Sequence, residues 1–170
     1  MIALVALVCA APFVSAWLAY YIVKPSSGKS YGVLLETQPL APLAADSTDA
    51  AKWRGKWQLV MLAPDACIGD CRDALFATRQ ARTMLGRERE RVIRIAVTQG
   101  KLEQTLIAEH PDLVVARVST TLPEPWRIAL DRGILLVDPL GNQVIVWPKN
   151  PDIKKLNQDL SRLLRASRIG

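Results

Sequence analysis

No charged side chain occurs between Met1 and Val23. A run of about 23 uncharged, mostly apolar residues exceeds the ~20 that a helix needs to cross a bilayer, so 1–23 reads as a transmembrane anchor. Trp17, Tyr20 and Tyr21 gather at its end, and Lys24 and Pro25 follow, as aromatic anchors and a terminating proline do at a membrane–water boundary. A competing reading is a cleaved signal peptide, with Val14-Ser15-Ala16 as a small-residue processing site after an apolar core. By charge alone, Lys24 and Lys29 favour a cytoplasmic side for whatever follows.

Beyond the anchor, a chain of 170 residues has room for one ordinary domain. Residues 24–52 read as a linker rich in Pro, Ser, Gly, Ala and Thr, with an apolar interlude from Tyr31 to Leu35 that would add an edge strand. The domain is then 53–170. Hydrophobic residues make up 50% of the chain, enough for a core of that size. The net charge of +6 comes mostly from arginines crowded between Arg72 and Arg94 and between Arg162 and Arg168. With no helix-turn-helix, zinc-finger or RNA-binding motif beside them, these read as solvated helix faces suited to lipid headgroups or an acidic partner protein, and not as a nucleic-acid site.

Hydrophobic periodicity sets out the domain. Gln58 to Leu62 is an apolar run bounded by Gly55 and Pro64, suited to a buried strand. From Cys71, the positions Leu75, Thr78, Ala81 and Leu85 recur at helical spacing until Gly86. Val92 to Val97 is a second strand, Leu102 to Glu109 a second helix ended before Pro111, and Val114 to Val118 a short β-branched run. Gly133 to Asp138 and Gln143 to Trp147 flank Pro139-Leu140-Gly141-Asn142 and predict an antiparallel hairpin. Ile153 to Arg165 is an amphipathic helix, with Leu156, Leu160, Leu163 and Leu164 on one face and Lys154, Lys155, Asp159 and Arg162 mostly on others. This order predicts an α/β domain with a small mixed sheet and helices on both sides.

Three cysteines are present, and Cys9 falls within the apolar run as a small hydrophobe. Cys67 and Cys71, four residues apart, lie where the first strand gives way to a helix, so both sulfurs face one side of the turning chain. No second pair exists to build a four-cysteine zinc site or a disulfide framework. A thiolate at a helix N-terminus is favoured; Asp65 and Asp70 oppose that effect and Arg72 assists it. Two thiolates so placed are able to form a disulfide or to bind a soft ion such as Cu(I), and the spacing does not choose between them. The blander alternative, two cysteines that merely pack, is weakened by the exposed loop expected around Pro64, Asp65, Gly69 and Asp70.

Gly55-Lys56-Trp57 leading into a strand, the C-x-x-x-C pair opening a helix, and Leu136-Val137-Asp138-Pro139-Leu140-Gly141-Asn142 together resemble the Sco-type membrane-anchored thioredoxin-fold proteins, and most of all the small Sco-like proteins associated with bacterial cytochrome c oxidase assembly. The resemblance covers the chain from about Trp53 onward, plus the anchor. It implies a thioredoxin-like fold preceded by one transmembrane helix, held in the inner membrane with the domain facing the periplasm. It also implies partners among the oxidase subunits, the copper-bearing one first, or other respiratory-complex proteins. Cys67 and Cys71 carry over as redox pair and Cu(I) ligands. The family's third copper ligand, a histidine before the Asp-Pro-x-Gly-Asn hairpin, has no counterpart in Ala129-Leu130-Asp131-Arg132-Gly133-Ile134-Leu135.

Other side chains carry weaker readings. His110, the single histidine, is a helix-end residue or a displaced ligand. Met61 and Met84 read as core, Met61 lying beside the site; Trp126 and Trp147 read as core or rim aromatics; Pro125 is a candidate for the cis-proline that thioredoxin folds usually carry. Three functions compete. The first is an assembly factor that delivers copper to the dicopper centre or reduces that centre's cysteines, with Cys67 exposed and attacking and Cys71 resolving. The second is a general membrane-tethered thiol-disulfide oxidoreductase, and the third a non-catalytic accessory or docking subunit of a respiratory complex.

Overall fold

In the computed structural model the described residues are 1–22, 30–41, 53–118 and 121–170; Lys24, Pro25, Lys29 and most of the linker expected over 24–52 lie outside them. The chain divides into two compact units, 1–30 and 31–170. In the first, the apolar run forms one helix, α1 (Ile2–Ile22), with Pro12 inside it. Trp17 meets Tyr21 with ring centroids 4.8 Å apart and planes tilted by 49°, and Tyr20 meets Tyr21 edge-on at 5.4 Å, near the end of the helix. Side chains are described without a break in α1 only over 9–18, and among the described residues no helix is long and apolar enough to cross a membrane.

The second unit is built on a six-stranded mixed sheet: β1 (Val33–Leu34), β2 (Trp57–Leu62), β3 (Val92–Thr98), β4 (Leu113–Arg117), β5 (Gly133–Val137) and β6 (Gln143–Pro148). Their spatial order is β1-β6-β5-β2-β3-β4. β2, β3 and β4 run parallel, whereas β5 lies antiparallel to β2 and β6 antiparallel to β5. The parallel strands are joined by helices: α2 (Asp70–Met84) and a 3-10 turn (Gly86–Arg91) lead from β2 to β3, and α3 (Gln104–Glu109) leads from β3 to β4. α4 (Glu124–Arg132) precedes the β5–β6 hairpin, and α5 (Ile153–Ala166) ends the fold. The apolar interlude within the expected linker does add the edge strand β1, with Val33 opposite Val146.

Two cores follow from the period-2 alternation of the strands. Leu59, Met61, Val92, Ala96, Ile134 and Leu136 meet Leu75 of α2 and Leu156 and Leu160 of α5 on one face. Val60, Ile95, Val97, Leu135 and Val137 meet Trp126, Ala129 and Leu130 of α4 on the other. α4 was not read from the sequence. Pro125 sits in its first turn, where a proline removes no intrahelical hydrogen bond, and Pro123 caps it.

Three side chains depart from the sequence reading. Arg94, grouped there with solvated arginines, is fully buried, because its position on β3 faces α2: Nε donates to Thr78 Oγ1 at 3.1 Å, Nη1 to Asp112 Oδ1 at 2.9 Å and Nη2 to the Leu75 carbonyl at 2.6 Å. Asp159, expected on the polar face of α5, is buried and accepts from Trp147 Nε1 at 3.1 Å and from the Gly32 amide at 2.9 Å. Met84, read as core, is 52% exposed, because it ends α2 beyond the last residue facing the sheet.

Candidate functional site

β2 points its C-terminal end at the cysteine loop. Beyond Leu62 the chain stays in register with β3, since the Ala63 amide donates to the Val97 carbonyl at 2.8 Å, and Pro64 then turns it out of the sheet. Cys67 and Cys71 are joined by a disulfide across a Cα–Cα distance of 5.3 Å. Gly69, the N-cap of α2, has φ of +52°, a left-handed conformation that a residue with a Cβ adopts only at a cost. That turn lets the loop double back so that Cys71, in the first turn of α2, reaches Cys67. The Cys71 amide donates to the Ile68 carbonyl at 3.2 Å and the Asp73 amide to the Gly69 carbonyl at 3.1 Å. Arg72 braces the other side: its Nε donates to the Cys67 carbonyl at 3.2 Å, while Nη2 stands 3.8 Å from Glu103 Oε2.

The two sulfurs differ in surroundings. Cys67 is only 6% exposed and belongs to the core cluster under α2, whereas Cys71 is partly exposed. The sequence reading, with Cys67 exposed, is therefore corrected: the turn at Gly69 brings Cys67 under the helix and leaves Cys71 at the rim. A cavity of about 760 Å³ opens at this point, with Cys71, Met61, Asp65, Ile68, Ile134 and Lys149 in its wall. No signal in the sequence marked this cavity, whose wall is assembled from β2, the cysteine loop, the start of α2, β3, α4, β5 and the loop after β6. Ile68, between the cysteines, is 74% exposed. Gly133, another residue of the cavity wall, has φ of +150°, and a Cβ there would collide with the Trp147 carbonyl.

Other candidate residues fall as follows. Gly133 and Ile134, in the stretch where the resemblance calls for a histidine, do line the cavity, and they bring no ligating side chain to it. His110 is buried just before β4, near Arg94 at the N-terminal end of the parallel strands, whereas Cys71 lies beyond their C-terminal end. It is thus no ligand to the cysteine site. Burial, then Arg94 and Arg79, push its pKa below 6.5. Met61 is buried, with its sulfur 3.9 Å from Thr78 Oγ1, and shares the cavity wall with Cys71. Trp126 and Trp147 are core residues, Trp126 Nε1 donating to the Ala41 carbonyl at 2.8 Å. No cis peptide occurs among the described residues, and Pro125 is a trans residue of α4.

Chemically, the pair is able to cycle between disulfide and dithiol. In the dithiol form it offers two soft sulfurs on one side of the chain, a donor set that fits Cu(I). Among the described residues no group of three or more His, Cys, Asp or Glu is placed to hold a metal.

A mixed sheet flanked by helices, with a cysteine pair between its first central strand and the following helix, defines a thioredoxin-like domain. The chain belongs to the family described as transmembrane-like, thioredoxin-like, C-terminal domain, whose model matches residues 57–167. Solved structures share the fold. Apo Sco1 from Thermus thermophilus is 19% identical with a TM-score of 0.57, over 83% of this chain and 98% of that one. Yeast Sco1 is 13% identical with a TM-score of 0.56, over 69% and 88%. ScoI from Bradyrhizobium japonicum, solved with copper bound, is 16% identical with a TM-score of 0.54, over 74% and 99%. Comparison with curated protein sequences returned no match.

Proposed function

We propose that this chain is a Sco-like factor for cytochrome c oxidase assembly, tethered to the inner membrane by α1 with its thioredoxin-like domain in the periplasm, and that it reduces the cysteines of the oxidase's dicopper centre. The observation that carries this reading is the Cys67–Cys71 disulfide, whose Cys71 lines the cavity, on a fold shared with Sco proteins. In the reduced chain, one thiolate attacks a disulfide of the target; that bond breaks, one target sulfur leaves and takes a proton, and a mixed disulfide forms. The second cysteine then attacks the mixed disulfide, re-forms the Cys67–Cys71 bond and releases the second target thiolate. Two electrons pass from the pair to the target. The chain acts here as an assembly factor with a reductase's chemistry.

Delivery of copper to the same centre is the second reading, favoured by Met61, a thioether-bearing residue that lines the cavity with Cys71. The copper is cargo in this reading: Cys67 and Cys71 hold Cu(I) as paired thiolates until the target's cysteines take it.

Replacing Cys67 and Cys71 together with Ser tests the proposal in the host cell. Loss of the oxidase's dicopper absorbance is the expected result; normal maturation would leave only a docking subunit. Deleting residues 1–23 is expected to release the chain from membranes washed with carbonate, and its retention there would contradict tethering by α1.

A further inference from the structure

The solvent face of α5 carries cations and no carboxylate. Lys154, Lys155, Gln158, Arg162 and Arg165 are exposed and fall within about 100° of helix arc, while Leu156, Leu160 and Leu164 hold the opposite side in the core. Asp159, the acid within the helix, is turned inward. Neither helix stability nor local pairing accounts for this pattern. Lys154 and Lys155 stand in the first turn, where the macrodipole disfavours positive charge, and Arg162 and Arg165, one turn apart, repel each other. Among the described residues none of these four cations is held in an ion pair; Lys155 instead places Nζ over the Tyr31 ring, 5.4 Å from its centroid.

Tyr31 also marks where the chain enters the domain. Its hydroxyl accepts from the Asp152 amide at 3.0 Å, and the next residue, Gly32, donates to Asp159, so the entry point lies against the start of the cationic face. Residues 23–30 alone separate Tyr31 from the end of α1, and such a stretch reaches at most about 30 Å when fully extended. Beside Tyr31 the edge strand β1 adds apolar side chains: Val33 is 60% and Leu34 64% exposed, and Leu34, opposite Ile145, stands on the α5 side of the sheet. Clustered Lys and Arg bordered by exposed apolar side chains suit a bilayer surface of anionic headgroups. No residue of α5 lines the cavity beside Cys71, so this face is separate from the exchange site.

From this arrangement we infer that the exposed face of α5, with Leu34 at its border, is a docking surface for anionic phospholipid headgroups. The inference rests on the tethering proposed above, because a domain held within about 30 Å of the bilayer meets headgroups at a high effective concentration, which favours lipid over an acidic protein as the occupant. The attraction is electrostatic and fades as salt shortens the Debye length. Docked this way, the domain keeps one orientation to the bilayer, which fixes the height at which Cys71 meets a membrane-bound target.

The experiment is acetylation of the full chain by a membrane-impermeant succinimidyl ester, after reconstitution into vesicles of phosphatidylcholine alone or with about a quarter phosphatidylglycerol, read residue by residue by mass spectrometry. Lys101, exposed in the loop before α3, is the internal reference. Labelling of Lys154 and Lys155 relative to Lys101 is expected to fall about fivefold in the anionic vesicles and to return in about 0.5 M salt. Equal labelling in the two vesicle types overturns the inference, including the case in which protection appears only on adding the oxidase subunit, which would make the face a protein-docking surface. Protection that survives the salt overturns it as well. As a second arm, Arg162→Glu with Arg165→Glu is expected to abolish the protection of Lys154 and Lys155, and unchanged protection counts against the inference. Failure of the tethering reads differently: the chain would not float with neutral vesicles, while salt-sensitive flotation with the anionic ones would still support the face and its absence would still overturn it.

Discussion

Arg94 and Asp112 form an ion pair of 2.9 Å across the β3–β4 pair, with the arginine wholly buried and the aspartate bridging outward to Arg82 at 3.1 Å. Burial lowers the Arg94 pKa to about 10 against the opposing pull of Asp112, so its charge is held in place by that one carboxylate. The pair closes the end of the sheet opposite the cysteines.

Asp112→Ala is therefore expected to cost about 3 kcal/mol, because it leaves a buried guanidinium without its counter-charge. Urea denaturation checks this. The double variant Arg94→Met with Asp112→Leu is expected to recover most of the loss, since removing both charges leaves no uncompensated ion.

Stability should fall with acid through His110. Its pKa in the fold lies below 6.5, pushed down by burial and then by Arg94 and Arg79, with Glu109 and Asp112 pulling the other way. A group depressed in this way contributes stability above its unfolded pKa and loses it as pH falls through the folded value. Below pH 6.5 the unfolded chain takes up a proton that the fold resists, so midpoints of denaturation are expected to decline there and to decline less in His110→Gln.

Asp159 joins α5 to two other segments through a single carboxylate oxygen shared by Trp147 Nε1 and the Gly32 amide. Asp159→Ala strands both buried donors and is expected to destabilise the domain by about 3 kcal/mol. The buried indole of Trp147 should report the change as altered fluorescence before unfolding.

Copper binding is predicted in its Cu(I) form alone. Anaerobic titration of the reduced chain against a competing chelator is expected to reach one Cu(I) per pair and to lose it in the Cys67→Ser/Cys71→Ser variant. Binding that survives the double substitution would place the copper elsewhere.

Much of the domain was legible from pattern. β2, the cysteine loop, α2, the β5–β6 hairpin and α5 each carry a local signal: a bounded apolar run, a recurrence every three or four residues, or turn residues between strands. α4 escaped because Pro123 and Pro125 resemble a loop until the helix begins between them. The burial of Arg94 and Asp159 escaped for a different reason. Their partners, Asp112 and Gly32 with Trp147, lie far along the chain, and a charged residue at a strand or helix position reads as solvent-facing until that partner is known. At the site, the pairing of Cys67 with Cys71 was open to view as a spacing, whereas the cavity and the unequal burial of the two cysteines arise only when stretches far apart along the chain converge.

The central claim is that the cysteine pair reduces the target's cysteines. It is tested most directly by mixing the reduced chain with the copper-bearing oxidase subunit in its disulfide form and counting thiols on that subunit. Two new thiols per Cys67–Cys71 disulfide formed, and none with the Cys67→Ser/Cys71→Ser variant, is the predicted result. A target that stays oxidised while the chain's own thiols remain reactive would contradict it.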